Sequence, residues 1–519
     1  MPQASKSADY RSARGKIVTI DDLADICVRE RGEGRSIVLA HGTFDLLHMG
    51  HVRHLEEARS HGDVLVVTVT ADEHVNKGPG RPVFKAELRA EMLAALAYVD
   101  WVAVNRTPTA EPVIQAIRPN FYTKGSDYEN PGDDVTGKII DEQKAVEKHG
   151  GQIIFTDGIT FSSSELINRH LNVHNPEVRE YLARVRNDSG FEKLVAHVES
   201  VADMRVGVIG DTILDDYQYV SPSGQPSKEN IIATRHSGSE LFAGGAVAAA
   251  NTVAGFCREV ELITCLGETD DHEAFVRSQL KPNVILKPIH RPDAPTTRKL
   301  RYVDTSYLRK LFEVQYLEDG PLPDPLRRHL KKTIRSSVPN YDVVIAADFG
   351  HGLIDAEIVS AIHESARFLA VTAQTNSANR GFNLITKYSA SDYICIDEPE
   401  ARLAVGDRIS DLHTIAGCLL PERIACDKMI LTHGRHGCVT YEKGKGTTQI
   451  PAITNQIIDT MGAGDVFLSV TAPIVATGAT MADVGLIGNV AGAIKVGIVG
   501  HRSSVDRIGI VKALTALLK

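Results

Sequence analysis

Short apolar segments alternate with helical patterns along most of this 519-residue chain, and no other feature restricts its fold as much. In the first third, strands are expected at residues 36–42, 63–70, 100–105, 120–125 and 151–156, with helices at 51–60 and 85–97. A second series of strands is expected at residues 205–211, 260–267, 341–350, 368–374, 392–397 and 428–434. This alternation is typical of layered α/β proteins, so we expect an α/β fold.

The chain is too long for a single hydrophobic core, since domains usually hold about 100–200 residues. From about Leu171 to Asp203 the sequence is polar and helical and has no strand pattern, which is typical of a linker. We therefore expect a first domain at residues 1–171, a helical linker at 172–203 and a second domain at 204–519.

Charge and cysteine usage exclude several classes of protein. The net charge is −9, which gives no support for a nucleic-acid or membrane surface, so local positive groups must hold any anionic substrate. The first 16 residues lack the apolar stretch of a secretory signal, and no segment approaches the roughly 18–20 apolar residues that span a bilayer. The seven cysteines include no Cys-x-x-Cys pair, so we expect reduced, mostly buried thiols in a cytoplasmic protein.

The first strand leads through Gly-Thr-Phe-Asp-Leu-Leu-His-Met-Gly-His (42–51) directly into a predicted helix. Backbone amides at such a helix N-terminus face an anion, and the imidazoles of His48 and His51 add donors. Two histidines near a turn are usually surface residues, but the Gly-Thr-Phe-Asp string and the strand–turn–helix context favour an anion site. This site suits nucleotidyl transfer, in which a phosphate oxygen attacks the α-phosphorus of a nucleoside triphosphate and pyrophosphate leaves.

The segment from about residue 16 to 171 resembles the nucleotidyltransferase superfamily that includes glycerol-3-phosphate cytidylyltransferases and the adenylyltransferase half of bacterial ADP-heptose synthases. Besides the histidine motif, the resemblance rests on residues 62–72, 77–83, 98–102, 123–128 and 161–167 and on the helix with Arg89. It implies a Rossmann-like domain in which His48 and His51 stabilise the transition state at the α-phosphate. It also implies nucleotide binding by Thr43, Phe44, Lys77, Lys124, Ser162, Ser163 and Ser164. Taken alone, the serines indicate a helix N-cap and Lys77 a solvated loop lysine.

The strongest single motif is Asp-Thr-Met-Gly-Ala-Gly-Asp at residues 459–465. The amides of Gly462, Ala463 and Gly464 at a helix N-terminus would cradle a transferring γ-phosphoryl group. Asp465, just inside the helix, is placed to take a proton from an attacking sugar hydroxyl. A Gly-x-Gly before a helix is common, but the full string is specific and resembles the signature of the ribokinase-like (phosphofructokinase-B) family of sugar kinases.

Other segments extend this resemblance, which implies a ribokinase-like α/β domain. Nucleotide binding is implied for Thr432, Gly434, Gly437, Gly462, Ala463, Gly464 and Asn489. Substrate binding is implied for Asp211, Asp215, Gly244, Gly245, Asn251, Lys299 and Arg301. Residues 295–301 resemble the heptose-7-phosphate kinase branch, so Lys299 and Arg301 are candidates for the substrate phosphate. Taken alone, Lys299 and Arg301 are each explained more simply as a charge at a strand edge. This explanation has more weight for Arg301 than for Lys299.

Several elements depart from the family pattern. The Asn-x-x-Glu element linked to magnesium reads Asp397-Glu398-Pro399-Glu400, and Asp397 and Glu400 keep the oxygen atoms that could hold Mg²⁺ through water. A glycine–lysine–glycine turn of heptose kinases reads Gly-His-Gly at 350–352, and their Asp-Pro-Lys element is replaced by Val-Thr-Ala-Gln-Thr-Asn at 371–376. The order of the two domains is also the reverse of the common fusion, which has the kinase first.

Three functions remain open. The first is a bifunctional enzyme of ADP-heptose-like biosynthesis, with Mg²⁺ and ATP, in which a separate phosphatase acts between a sugar-phosphate kinase and a sugar-1-phosphate nucleotidyltransferase. The second is a fusion for another sugar or polyol phosphate, with CTP as donor. The third is a nucleotidyltransferase whose kinase-like half is a sensor; the intact cradle with Asp465 argues against it, and the missing Asp-Pro-Lys keeps it open. We also expect a homo-oligomer without nucleic-acid or membrane partners.

Overall fold

The computed structural model describes residues 13–75, 81–125, 139–156, 175–187, 190–225, 228, 230–292, 294–377, 379–454 and 457–518. The chain forms two compact units, broadly residues 1–175 and 176–514. In the described part of the chain, no helix is both long enough and apolar enough to cross a membrane.

The N-terminal unit contains a five-stranded parallel sheet with the strand order β3-β2-β1-β4-β5. Its elements are α1 (Ile20–Gly32), β1 (Ile37–Gly42), α2 (Met49–Ser60), β2 (Val64–Thr70), α3 (Ala86–Ala94), β3 (Trp101–Asn105), α4 (Glu111–Ile117), β4 (Phe121–Gly125), α5 (Ile139–Glu147) and β5 (Gln152–Thr156). All five strands lie where the apolar segments predicted them, within one or two residues.

Apolar side chains cover both faces of this sheet, which is why its strands are almost uniformly apolar. Alternate residues of β1 enter two different cores: Ile37 and Leu39 pack with α1 and α4, whereas Val38 and Ala40 pack with α2 and α3. The central strand is therefore held rigidly, and the chain that leaves its carboxyl end carries the histidine motif.

The C-terminal unit begins with two helices and continues as a layered α/β domain. Its elements are α6 (Pro176–Asn187), α7 (Gly190–Glu199), β6 (Arg205–Gly210), β7 (Thr212–Gly224), β8 (Ala233–Gly245), α8 (Ala246–Val253), β9 (Glu259–Gly267), α9 (Glu273–Gln279), β10 (Val284–Arg291), β11 (Arg298–Asp304), β12 (Arg309–Tyr316), α10 (Asp324–Ser337), β13 (Val343–Asp348), α11 (Ala356–Ser365), β14 (Leu369–Ala373), β15 (Tyr393–Asp397), α12 (Glu398–Val405), α13 (Leu412–Thr414), β16 (Lys428–Thr432), β17 (Cys438–Glu442), β18 (Gly446–Ile450), α14 (Ala463–Ala476) and α15 (Met481–Lys495). The chain ends in α16 (Arg507–Leu518).

Two sheets organise this unit. The larger has nine strands in the order β10-β9-β6-β13-β14-β15-β16-β17-β18, parallel from β10 to β16 and antiparallel in its last two pairings. The smaller has the order β12-β11-β7-β8, with β7 parallel to β11. In a parallel sheet the carboxyl ends of the strands share one edge, and this edge is where α/β proteins bind ligands.

The α/β fold expected from the sequence is confirmed. The strands predicted at residues 205–211, 260–267, 341–350, 368–374, 392–397 and 428–434 are β6, β9, β13, β14, β15 and β16. The four-stranded sheet was not anticipated. Residues 176–187 and 190–199, within the expected linker, form α6 and α7, and both belong to the C-terminal unit.

Candidate active sites

The two motif histidines lie side by side at the start of α2. His48 is the N-cap of this helix, and its Nδ1 accepts a hydrogen bond from the amide of Gly50 at 3.1 Å. A neutral imidazole that accepts at Nδ1 carries its proton on Nε2, where it can donate. The ring centroids of His48 and His51 are 3.9 Å apart, and Phe44 meets His51 edge-on at 5.3 Å. Both imidazoles therefore share one helix N-terminus, which favours an anion.

Two buried charges hold the turn that precedes α2. Asp45 is fully buried and pairs with Arg81 at 2.8 Å, while Arg89, also fully buried, donates to the carbonyl oxygen of Thr43. Phe44, between these two attachments, has a positive φ of 47°, which is uncommon outside glycine. No role was predicted for Asp45 or Arg81, although Asp45 stands in the Gly-Thr-Phe-Asp string and Arg81 in the segment 77–83 that carries the resemblance.

Lys124 lies at the carboxyl end of β4, on the next strand of the sheet from β1. Its ammonium is 2.8 Å from Glu142. Burial and then the charge of Lys124 lower the pKa of His54, on α2, to about 4. Lys124 therefore lies close enough to α2 to act electrostatically on one of its side chains. The other predicted phosphate ligands, Lys77 and Ser162, Ser163 and Ser164, lie outside the described residues.

In the C-terminal unit, the glycine-rich motif forms the start of α14. Gly462 is the N-cap with a φ of +71°, and Ala463 is the first helical residue. A Cβ on Gly462 would lie 2.6 Å from the ring of His501, whereas a Cβ on Gly464 would meet nothing within 4 Å. The space beside Gly464 is therefore open, as an anion cradle requires, whereas the amide of Ala463 donates to the carbonyl oxygen of Thr460 at 3.3 Å.

Asp465 lies in the first turn of α14 and is only 9% exposed. Burial raises the pKa of its carboxyl to about 6, although the nearby positive charges of His501, Lys495 and Lys299 lower it. Its Oδ1 accepts a hydrogen bond from Gln374 Nε2 at 2.6 Å. Sequence reasoning missed Gln374, which appeared only as part of the departure at 371–376. A carboxyl whose pKa lies near the working pH is suited to general-base catalysis.

Asp459, the first residue of the 459–465 motif, connects the glycine-rich helix start by hydrogen bonds to the loop that follows α15. It accepts hydrogen bonds from Lys310 Nζ and the amide of Gly500, both at 2.9 Å, and from the amide of Met461 at 3.1 Å. Lys495 is fully buried and donates to the carbonyl oxygen of Gly500 at 2.5 Å. Two buried charges thus fix the loop on which the cradle depends.

Asp215 and Arg301 form a buried ion pair. Arg301 Nη1 bonds to Asp215, and Arg301 Nε lies 2.6 Å from Glu313. His501 Nε2 approaches the other oxygen of Asp215 at 3.5 Å. A Cβ on Gly244 would lie 2.3 Å from this carboxylate, so only glycine allows Asp215 to take this position. The predicted substrate residues Asp215, Arg301 and Gly244 are therefore brought together, with the guanidinium charge already matched by carboxylates.

Asp211 has different contacts from those the resemblance implies. Its fully buried carboxylate accepts hydrogen bonds from the amides of Phe349, His351 and Leu353 at 3.2–3.4 Å. Burial and the neighbouring Asp348 raise its pKa to about 6. The structure thus gives Asp211 the role of holding the turn after β13, and its predicted contact with a substrate hydroxyl stays a prediction.

Gly245 and Asn251, which were also predicted to bind substrate, are both in close contact with neighbouring backbone. Gly245 has a φ of +57°, and a Cβ there would lie 2.5 Å from the carbonyl oxygen of Asp211. Asn251 Nδ2 donates to the carbonyl of Gln279 at 2.8 Å, and its Oδ1 accepts from the amide of Lys281 at 2.9 Å. Asn251 therefore joins α8 to the loop after α9.

The predicted nucleotide residues lie around the antiparallel edge of the large sheet. Thr432 ends β16, and the turn to β17 contains Gly434 and Gly437, both with positive φ. A Cβ on Gly437 would lie 2.0 Å from the carbonyl oxygen of Ile450. Asn489 on α15 donates to that same carbonyl at 3.2 Å. The structure thus brings the two sequence segments together at one edge.

Asp397 and Glu400 form a capping box at the start of α12, in which each carboxylate accepts a hydrogen bond from the other residue's amide. Burial, together with the charges of Asp397 and Asp465, raises the pKa of Glu400 to about 8. A divalent cation relieves this kind of repulsion, and magnesium is usually held by one or two carboxylates, water and substrate phosphates. The donor set fits Mg²⁺, although no group of three or more His, Cys, Asp or Glu that could hold a metal occurs among the described residues.

The structure shows two α/β units, each with a predicted phosphate site at a helix N-terminus. Residues 204–507 match the pfkB family of carbohydrate kinases, and residues 39–169 match the cytidylyltransferase-like family. Because the first match spans more than half of the chain, this protein belongs to the pfkB family of carbohydrate kinases. A cytidylyltransferase-like domain precedes the kinase domain.

Curated relatives match over the nucleotidyltransferase region. Bifunctional protein HldE of Geobacter metallireducens is 36% identical over 178 residues, which is 33% of this chain and 34% of that protein. Bifunctional protein HldE of Aliarcobacter butzleri is 40% identical over 139 residues, 26% of this chain and 29% of that protein. The chain thus spans about a third of the length of the curated relatives it matches. Among solved structures, phosphofructokinase-2 of Escherichia coli with fructose-6-phosphate is 14% identical, with a TM-score of 0.48, over 61% of this chain and 100% of that one.

Proposed function

We propose that this chain is a bifunctional enzyme that makes a nucleotide-activated sugar. The C-terminal unit phosphorylates a sugar phosphate, similar to heptose 7-phosphate, with ATP. The N-terminal unit joins a sugar 1-phosphate to a nucleotide and releases pyrophosphate. The observation that carries this proposal is the buried carboxyl of Asp465 in the first turn of α14, beside the open space at Gly464 in the glycine-rich helix start. A base and an anion cradle at one helix start are what phosphoryl transfer to a hydroxyl needs.

In the kinase reaction, Asp465 takes the proton of the sugar hydroxyl as its oxygen attacks the γ-phosphorus of ATP. The amides of Gly462, Ala463 and Gly464 stabilise the charge that develops on the transferring group. Gln374 holds Asp465 in place by donating to Oδ1. Mg²⁺, when bound near Asp397 and Glu400, neutralises charge on the triphosphate. Thr432, Gly434, Gly437 and Asn489 lie on the nucleotide side of the site.

In the transferase reaction, an oxygen of the sugar 1-phosphate attacks the α-phosphorus of the nucleoside triphosphate. The paired imidazoles of His48 and His51 donate to the phosphate oxygens as charge develops, and the start of α2 adds its amides. Lys124 adds a positive charge nearby. We propose ATP as the donor, on the resemblance of residues 98–102 and 123–128 to the adenylyl-transferring branch.

The product of the kinase carries two phosphates, so a separate phosphatase must remove one of them before nucleotidyl transfer. We further propose a homo-oligomer in the cytoplasm. The described cysteines are all free thiols, five of them buried, which is typical of a reducing compartment.

A two-part assay tests the proposal. ATP consumption is measured against a panel of sugar phosphates, and pyrophosphate release against a panel of sugar 1-phosphates with ATP and CTP in competition. We expect turnover in both parts, with ATP preferred. A clear CTP preference would indicate a transferase for another sugar or polyol phosphate.

A further inference from the structure

The imidazole of His501, for which no role was predicted, lies where three segments of the kinase unit meet. Its Nε2 is 3.5 Å from Oδ2 of Asp215 on β7, and its side chain is only 10% exposed. A Cβ on Gly462, at the start of α14, would lie 2.6 Å from its Cε1. A Cβ on Gly244, at the end of β8, would lie 3.2 Å from its Nε2. One side chain therefore lies against both the predicted substrate carboxylate and the glycine-rich helix start.

The residues on both sides of His501 are held in place. The amide of Gly500 donates to Asp459 at 2.9 Å. Gly500 also has a φ of +48°, a backbone conformation that few residues other than glycine adopt. On the other side, Arg502 Nε donates to Glu240 at 3.0 Å. Because both neighbours are anchored, the imidazole is preorganised in this position.

The carboxylate of Asp215 has a positively charged or N–H partner at each of its oxygens. Arg301 Nη1 bonds to Oδ1, and His501 faces Oδ2 at ion-pair distance. Arg301 is shared with Glu313, which lies 2.6 Å from its Nε. A carboxylate held at both oxygens cannot rotate, so its remaining lone pairs keep fixed directions toward a substrate hydroxyl.

The simplest alternative is that His501 only compensates the buried charge of Asp215. Arg301 already does so at the other oxygen, and compensation does not require a ring packed against Gly462. Asp215 belongs to the smaller sheet through β7, whereas α14 packs against β13 and β15 of the larger sheet. His501 therefore connects the two parts of the unit that must meet at the reacting groups.

We propose that His501 is a positioning residue of the kinase. It fixes Asp215 relative to the start of α14, so that a sugar bound by Asp215 presents its reacting hydroxyl to Asp465. This inference rests on the proposed kinase function and adds a residue that acts through Asp215 rather than on the substrate. Such alignment matters because a misplacement of about 1 Å can lower a rate about 100-fold.

A double-mutant cycle tests whether His501 acts through Asp215. The variants are His501→Ala, Asp215→Asn and the double variant, together with His501→Gln, which keeps a side-chain N–H donor. His363→Ala is the control, because His363 is exposed on α11 of the same unit. Steady-state kinetics are measured for a sugar phosphate and for ATP with the full-length protein, and melting temperatures confirm that each variant is folded.

For the sugar phosphate, we expect kcat/KM to fall about 10- to 100-fold in His501→Ala, through both a higher KM and a lower kcat. His501→Gln should recover part of this loss, and the KM for ATP should stay unchanged in both variants. In the Asp215→Asn background, His501→Ala should cause a much smaller loss, because the group that His501 positions is already impaired. His363→Ala should match the wild type.

Two results separate this proposal from the kinase function itself. If the wild type phosphorylates a sugar phosphate but the effects of His501→Ala and Asp215→Asn multiply in the double variant, the positioning role is wrong and the kinase function stands. If the wild type phosphorylates no sugar, the kinase function is wrong. Calorimetric titration with the same sugar phosphates then decides on His501: its role stands only if the two substitutions weaken binding non-additively, and is wrong otherwise.

Discussion

Asp465 is buried, and one of its oxygens accepts a hydrogen bond from Gln374. Both features affect the pH range in which its carboxylate can accept a proton. Burial raises its pKa to about 6, so the carboxyl is ionised, as the proposed base must be, above that pH and protonated below it. We predict that kcat/KM of the kinase falls as the pH drops through about 6. A pH–rate profile of the full-length enzyme measures this acidic limb, the fall of kcat/KM at low pH.

Gln374→Glu provides the matched variant for this profile. A carboxylate at hydrogen-bonding distance from Asp465 makes ionisation of the base harder, so the acidic limb should move up by about one pH unit or more. An unchanged limb in Gln374→Glu, with activity retained, would contradict the assignment of Asp465 as the titrating base.

His51 provides a test of the transferase half. Removing one charge-stabilising donor commonly lowers a rate about 100- to 1000-fold. We predict a loss of this size in pyrophosphate release for His51→Ala, with kinase activity unaffected. His61→Ala serves as the control, because His61 is exposed at the other end of α2. Near-normal pyrophosphate release in His51→Ala would refute the proposed role.

At the residue scale, the motifs could be found from the sequence, but their supporting contacts could not. The string at 459–465 was enough to predict Asp465 inside a helix start. Nothing in the sequence shows that Gln374, 91 residues earlier, donates to it, because such contacts are set by how the strand ends meet. For the same reason, the sequence does not show that Asp211 accepts hydrogen bonds from the amides of Phe349, His351 and Leu353.

The proposed site of each unit lies at a helix N-terminus. At the start of α14, Gly462 and Gly464 differ in the space available for an added side chain. Gly462 has a positive φ, and a Cβ there would contact His501 at 2.6 Å, whereas the position of Gly464 is open. We predict that Gly462→Ala lowers the free energy of unfolding by about 1–3 kcal/mol, from backbone strain and the contact.

The matched variant Gly464→Ala should keep its melting temperature, because no atom lies within reach of the added methyl group. Differential scanning calorimetry of both variants tests this pair. Equal melting temperatures for Gly462→Ala and the wild type would contradict the geometry assigned to the cradle.

The smaller sheet shows why some elements escaped prediction. Its strand β12 is largely exposed, with apolar side chains such as Phe312 and Val314 in solvent, so it lacks the buried pattern that identified the large sheet. Its strand β7 pairs with β11, which lies far along the chain. Strands of the large sheet were predictable because burial on both faces makes them uniformly apolar.

At the scale of the whole molecule, the two activities should be separable, because their motifs lie in different units. We predict that fragments 1–172 and 200–519 fold independently. The structure adds a refinement: Lys193 on α7 forms an ion pair with Asp483 on α15 at 2.6 Å, and Leu194 on α7 is fully buried. A fragment that begins at residue 176 should therefore melt at a higher temperature than one that begins at 200.

Circular dichroism and calorimetry of the three fragments test the boundary. If no fragment is folded while the whole chain is, the division between the units is wrong. Equal melting temperatures for the two C-terminal fragments would show that α6 and α7 contribute nothing to the kinase unit.

The central claim is that both halves are active on sugar phosphates. The most direct measurement is mass spectrometry of products formed from sugar phosphates and ATP by the full-length wild type, Asp465→Asn and His51→Ala. We predict a doubly phosphorylated sugar with the wild type and with His51→Ala, and none with Asp465→Asn, since the amide keeps the shape but cannot accept the proton. If the wild type binds ATP yet phosphorylates no sugar phosphate in the panel, the claim is contradicted and the kinase-like unit is a sensor.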